Sequence, residues 1–352
     1  CLEELQAIKE EAEGLGCWAL FMDVLDVEIH HLNRGRNLDR VLNVLEMARA
    51  HRNVHDPKAR CKAHSILALA MYFGSPGCGL GAAREAVAIA RRTEDSDLLL
   101  HALNRLIVAL MHRGELHTPE GKDALMEGER ISVNSGDLVL KFFVRLNRAV
   151  WHLEIGEIPE SMAAFHAARK VIQGTKAREA HVLLHINQGD ARLSDFQIPE
   201  ARSEYLLAEE HLTQSSPEFH QITVTAGLGL CALLEGDLGE AKRREGLLPP
   251  LPAFWTFEPS LVATFQARMM LKRGASREAD DFLRETAQGI KGRFVLAWLK
   301  LILERQKVLQ KRSPELALEV LKEGQKVAQE LGLTSRAREF ERAAFRIRNT
   351  SS

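Results

Sequence analysis

The stretch that decides the fold is RLNRAVWHLEIGEIPESMAAFHAARK, residues 145–170. An apolar run ends at Gly156-Glu157, Pro159 follows, and a second apolar pattern begins. A glycine after an apolar run closes a helix in the left-handed region, where a missing Cβ removes the steric penalty. A proline just beyond fits the first turn of a new helix, because its absent N–H would have no partner there anyway. The segment therefore reads as two antiparallel helices joined by a tight turn.

The same arrangement recurs. A turn-like break is followed about five residues later by a small residue in RNLDRV (Val41), GLGAAREA (Ala86), GEIPES (Ser161), FQIPEA (Ala201), GDLGEA (Ala241), GASREA (Ala279) and RSPELA (Ala317). HTPEGKDA, with a longer turn, adds Ala124. Successive gaps are 45, 38, 37, 40, 40, 38 and 38 residues, a period near 39. Self-similarity at that period is the signature of a helical repeat array. Gly156, Gly236 and Gly274 close first helices, while Pro159, Pro199 and Pro314 open second ones.

The first helix of each copy is apolar on nearly every side, as in LVLKFFVRLNRAVWHLEI, residues 138–155, and must be covered from several directions. The second is amphipathic. In PESMAAFHAARKVI, Met162, Phe165 and Ala168 face one way, and Glu160, Arg169 and Lys170 the other. The small residue marks where the two helices of a pair approach closely. No strand-like alternation is present. The expected fold is all-α: a right-handed α-solenoid of about eight stacked antiparallel pairs, sixteen or seventeen helices in all. A single domain spans 1–352, with repeats at about 17–55, 56–94, 95–135, 136–174, 175–215, 216–257, 258–291 and 292–332. A capping helix over 333–349 follows, with Thr334 or Ser335 as N-cap and Phe340, Ala344 and Ile347 as its apolar stripe.

Composition narrows function. Of 352 residues, 45% are hydrophobic and 27% charged, which suits a folded, soluble chain. A net charge of −1 argues against a general nucleic-acid or membrane-surface binder, which needs a basic excess. Five cysteines (Cys1, Cys17, Cys61, Cys78 and Cys231) form no CxxC pair and read as reduced thiols of a cytoplasmic protein. No apolar run reaches transmembrane length. The opening CLEELQAIKEEAEG has neither Met nor a signal pattern and reads as cut from a longer protein.

The segments ALNRLIVALMHRGE, RLNRAVWHLEIGEIPESMAAFHAARK, HINQGDARLSDFQIPEARSEYLLAEEHL and GLGLCALLEGDLGEAKR resemble the tetratricopeptide family. They are similar to its long-repeat variant, found in the sensor arms of MalT-like and AfsR-like signalling ATPases. That resemblance implies a non-catalytic module that binds a peptide, protein or small effector in its concave groove, as the sensor arm of a larger bacterial signalling or transcription regulator. The alternative it implies is a stand-alone Rap-like regulator that binds a response regulator under the control of a peptide. The sequence shows no nucleotide-binding core and no helix-turn-helix. GELHTPEGKD is not a phosphate loop, because Asp123 stands where Ser or Thr should hold magnesium. No cofactor and no enzymatic activity are expected.

Candidate binding residues follow from the repeat. Asn104, Asn147 and Asn187 recur at gaps of 43 and 40 in otherwise apolar first helices. Phe143, Asn147, Val150 and Glu154 form one stripe. An Asn amide facing the groove can bond both N–H and C=O of an extended peptide; alternatively each Asn fixes helix packing. Asp190 and Ser194 follow on the face of Asn187, and Arg268 and Lys272 hold the corresponding places in the seventh repeat. Arg105, Arg145 and Arg148 flank the row and could supply positive charge for an acidic ligand. LLPPLPAFWTFEP breaks the pattern and offers Phe254, Trp255 and Phe257 as a docking patch or as a plug for a shortened helix. His181 and His185 lie four apart on one helix face, a spacing that zinc sites use. No third ligand stands locally beside them, so no metal is expected. Carboxylates fall on the wet side of second helices, and no nucleophile motif is present.

Overall fold

The structure, a computed structural model, describes residues 2–32, 38–70, 76–214, 216–249, 259–292 and 294–350. Among these residues every regular element is a helix. The chain opens with α1 (Leu2–Gly14) and continues with α2 (Trp18–Leu32), α3 (Leu38–Ala50), α4 (Pro57–Ala68), α5 (Pro76–Ala90) and α6 (Ser96–His112). The middle is α7 (Pro119–Ser132), α8 (Leu138–Glu154), α9 (Ile158–Ile172), α10 (Arg178–Ser194), α11 (Ile198–His211) and α12 (Glu218–Glu235). The last third is α13 (Leu238–Leu247), α14 (Ser260–Lys272), α15 (Ser276–Ile290), α16 (Val295–Leu309), α17 (Pro314–Glu330) and α18 (Thr334–Thr350).

The even-numbered helices α2 to α16 stack directly on one another and form the inner layer. The odd-numbered helices α3 to α17 lie outside, each against its own partner and, except for the short α13, against the next even-numbered helix. This is an α-solenoid. The one helix beyond expectation is α1, whose charged sequence carries no repeat mark but which packs on α2.

Local chemistry sets the helix ends. Asp95, Thr118, Asp137 and Asp237 each accept a bond from a first-turn amide of the helix that follows. Such caps contribute about 0.5–2 kcal/mol apiece. Pro159, Pro199 and Pro314 sit in the first turn of α9, α11 and α17. Gly156 and Gly236 end α8 and α12 at φ +84° and +87°.

The recurring small residues are the contact points within pairs. Ala86, Ser161, Ala201, Ala241, Ala279 and Ala317 are all 0% exposed. Ser161 Oγ donates to the Ala149 carbonyl at 2.8 Å, tying α9 to the backbone of α8. Rings fill the spaces between pairs where glycines leave room. Tyr205 of α11 lies against Gly189 of α10 and Gly227 of α12, where an added Cβ would stand 2.8 and 2.6 Å from its ring. Phe265 meets Gly229 in the same way, and Phe340 of α18 meets Gly324 of α17. Phe340 and Ile347 are buried, so α18 covers the last pair through its apolar stripe.

One turn departs from the glycine rule. Phe196, between α10 and α11, takes φ +58° and is 88% exposed, 40 residues from both Gly156 and Gly236. A left-handed conformation costs a residue with a side chain about 1–2 kcal/mol, and nothing buried offsets that here. Phe196→Gly should leave stability unchanged or raise it by up to about 1 kcal/mol, the gain being tempered by the freer unfolded chain. Phe340→Ala should cost about 3–5 kcal/mol, as a large buried side chain does when removed. Denaturation midpoints of the two variants compare them directly; a loss at Phe196 as large as that at Phe340 would contradict this account of both sites.

Candidate functional site

The even-numbered helices carry most of the residues singled out in the sequence, and their polar groups are engaged with partners inside the protein. Asn147 is buried at 6% exposure and donates through Nδ2 to Oδ1 of Asn104, forming a rung between α8 and α6. Asn187, half-buried, donates to the Leu183 carbonyl of its own helix at 2.7 Å. Phe143 packs into the core of the fourth and fifth pairs beside Phe142, ring centroids 5.4 Å apart. Arg105 reaches back two pairs to Asp26 of α2 at 3.2 Å. Asp190 accepts from the buried Tyr205 hydroxyl. Arg268 of α14 makes a two-pronged bond to Glu304 of α16, at 2.6 and 3.0 Å, and Lys307 adds a third contact at 2.9 Å. Burial pushes the Glu304 carboxyl up, but Arg268 and Lys307 outweigh it and hold the group below the ordinary carboxylate value.

Arg145 lies elsewhere. It lines an outer cleft of about 330 Å³ with Glu129, Arg148 and His152 on one side and Ala163, Ala164 and Ala167 of α9 on the other. Arg148 pairs there with Glu129 at 2.6 Å. The reason is angular: at about 100° per residue, position 145 points roughly 200° away from position 147. These arginines therefore belong to the outer face and not to the asparagine row. Phe254, Trp255 and Phe257 fall outside the described residues.

A feature absent from the sequence reading joins distant pairs. His112, at the end of α6, meets Phe294 edge-on at 5.1 Å, just before α16. Gly114, at φ +71°, lies so close to α16 that an added Cβ would stand 3.0 Å from Val295. At the end of α8, Glu154 accepts from Lys300 of α16 at 2.6 Å. Arg336 of α18 donates to the carbonyls of Glu154 and Leu153 at 2.6 and 3.4 Å, capping the free end of α8. α16 follows α6 by ten helices, or five pairs, and α18 follows α8 by the same number. Successive turns of the superhelix thus touch edge to edge, and their cores merge through Trp151, Phe294 and Leu296.

The fifth pair gathers three histidines. His181 and His185 of α10 and His211 of α11 stack, with centroids 4.8 Å apart for 181–211 and 5.8 Å for 185–211. Their ligating atoms all lie within 4.8 Å of one another. His185 Nδ1 is 2.7 Å from Oε2 of Glu204, which Arg169 also contacts at 3.2 Å. Burial, then the neighbouring His181 and His185, push the His211 imidazole below its ordinary value. The third histidine comes from the next helix, 26 residues beyond His185, outside the local spacing that marks a zinc pair. Cys61 and Cys231 are buried, and burial pushes their thiols up to about 11 and about 12, so both stay protonated and unreactive near neutral pH.

A Rap protein complexed with competence and sporulation factor shares this architecture over 94% of the present chain and 98% of its own, with TM-score 0.54 and 12% identity. The likeness shows the fold alone, an all-α solenoid of stacked helix pairs. BtubC from P. vanneervenii is similar over 62% of this chain and 94% of its own, at TM-score 0.47 and 18% identity. A signal-transduction ATPase with numerous domains and a tetratricopeptide repeat sensor, from Pyrococcus horikoshii, is similar over 88% of this chain and 51% of its own, at TM-score 0.46 and 10% identity. No protein-family model and no curated protein matches the sequence. No described helix is long and apolar enough to cross a membrane.

Two outcomes test this geometry. Asn147→Ala should cost about 1–3 kcal/mol, because it leaves the Asn104 oxygen without its donor inside the wall. Asn187→Ala should cost a few tenths, since its bond only doubles back on α10. Equal losses would remove the distinction between rung and free amide. At the contact between turns, burial pushes His112 down to about 4. A depressed imidazole favours the neutral form in the fold, so the unfolded chain takes up the proton first as pH falls. Stability is therefore full above about pH 6.5 and declines toward pH 4. Hydrogen-exchange protection at residues 112–117 and 294–300, corrected for the intrinsic pH dependence of amide exchange, should fall over that window in the native protein, and less so in His112→Gln.

Proposed function

We propose that this chain is a non-catalytic binding module that recognises a peptide or protein along its inner wall. The observation that carries the reading is the match, over nearly the whole length of both chains, to a Rap protein complexed with competence and sporulation factor. The inner helices support it with half-buried Asn104, Asn187, Arg105 and Phe143. Backbone amides and carbonyls of an extended segment can pair with such side chains without any reading of sequence. A sensor arm of a larger regulator and a Rap-like, peptide-controlled regulator would both use the same wall.

A display library of random short peptides, selected on the untagged protein, tests the proposal. Enriched peptides should lose roughly five- to a hundredfold in affinity with Asn187→Ala or Arg105→Ala, which corresponds to about 1–3 kcal/mol. The melting curve of Asn187→Ala should stay close to that of the parent. Peptides that bind both variants as well as the parent would place recognition away from this wall, and the outer cleft around Arg145 would be tested next. Failure to enrich any peptide would count against the reading itself.

A further inference from the structure

We propose that His181, His185 and His211 form a binding site for a divalent first-row transition cation, zinc in the first instance. The site is independent of the inner wall and of any peptide.

Two features of the hairpin build it. Residues four apart on α10 lie one turn apart on one face, so His181 and His185 both turn toward α11. α11 runs back antiparallel. The tip of the hairpin is Phe196, and His181 precedes it by 15 residues (196 − 181) while His211 follows it by 15 (211 − 196). Equal distances from the tip bring the two histidines level, and the third ring joins the stack.

The donor set points to the kind of ion. Three imidazole nitrogens suit zinc and its neighbours and are foreign to magnesium and calcium, which take oxygen. A tetrahedral zinc with bonds of about 2.0–2.1 Å needs ligand nitrogens about 3.3–3.4 Å apart. The present atoms lie within 4.8 Å. The remaining closure is within reach of side-chain torsions on partly exposed His181 and His211.

Glu204 is the second and decisive observation. It holds Nδ1 of His185 at 2.7 Å, which leaves Nε2 as the free donor. A carboxylate behind a histidine is the recurring support of metal-bound imidazole, fixing its tautomer and raising its basicity. Arg169 anchors that carboxylate in turn and is itself bonded to Gln188, so the support is ordered from behind. Three neutral ligands leave the ion its full charge and a fourth position for water, or for a carboxylate or thiolate from outside the chain. His185 is buried and the other two rings are half-buried, so that position faces solvent.

The test uses the full chain without an affinity tag, stripped with a chelator and returned to chelator-free buffer. Zinc chloride is then titrated against a chromophoric competitor. One ion per chain should bind. Glu204→Gln should weaken it by about 10–100-fold, the usual effect of losing a supporting carboxylate, and His211→Ala or His185→Ala by more than that. His166→Ala, an exposed histidine elsewhere, should change nothing. Cobalt in place of zinc should give visible d–d absorption of four-coordinate intensity that Glu204→Gln shifts, a readout that folding defects do not mimic. Binding well below one ion per chain, or affinity unmoved by His211→Ala, would overturn the site and leave the rings as a stacked cluster paired with Glu204.

Discussion

Tyr205 lies against two glycines, Gly189 on one side and Gly227 on the other, and the spacing of the array depends on such fits. A ring from an outer helix reaches the backbone of two consecutive inner helices because neither presents a Cβ there. Packing this close sets how far one pair turns relative to the next. Phe265 against Gly229 and Phe340 against Gly324 are further ring-on-glycine fits toward the C-terminus, each between two helices. Tight inner spacing bends the stack strongly, enough for Arg105 to bridge two pairs to Asp26 and for helices five pairs apart to touch. Interiors packed at crystal-like density allow no slack at such points, so each fit constrains its neighbours.

The inner wall inherits a constraint from this curvature. Polar side chains of the inner layer find partners on the next helix of the stack, Asn147 with Asn104 and Arg268 with Glu304, and at the contact between turns Lys300 meets Glu154. Buried polar groups need such partners, since each one left unmet costs more than a bond gains. A peptide entering this space would exchange internal bonds for bonds to itself. Selectivity would then rest on which internal bonds it can replace.

Much of this was legible in the residues. The period near 39 and the small residues from Ala86 to Ala317 located the pairs, because both express local rules of helix ends and close contact. The row at Asn104, Asn147 and Asn187 was legible as a row, but its bonding depends on the distance between α6 and α8, which no single helix encodes. Arg145 could have been separated from it by counting angles around α8. His211 could have been found by measuring outward from the turn at Phe196. The contact of α6 and α8 with α16 and α18 could not, since it follows from pitch accumulated over five pairs. For the docking patch at Phe254, Trp255 and Phe257 the structure adds no description.

The edge-to-edge contact also changes the kind of object the array is. An open solenoid behaves as a one-dimensional chain, in which each repeat feels only its neighbours and unfolding can start at either end and spread. Once Arg336 caps α8 and Lys300 holds Glu154, the last helices are tied to the fourth pair across 182 and 146 residues of sequence. The C-terminal end is no longer the free end of a zipper. Fraying there has to release the middle as well, so melting shifts from stepwise toward concerted, and the chain gains the topological delay in folding that long-range contacts bring.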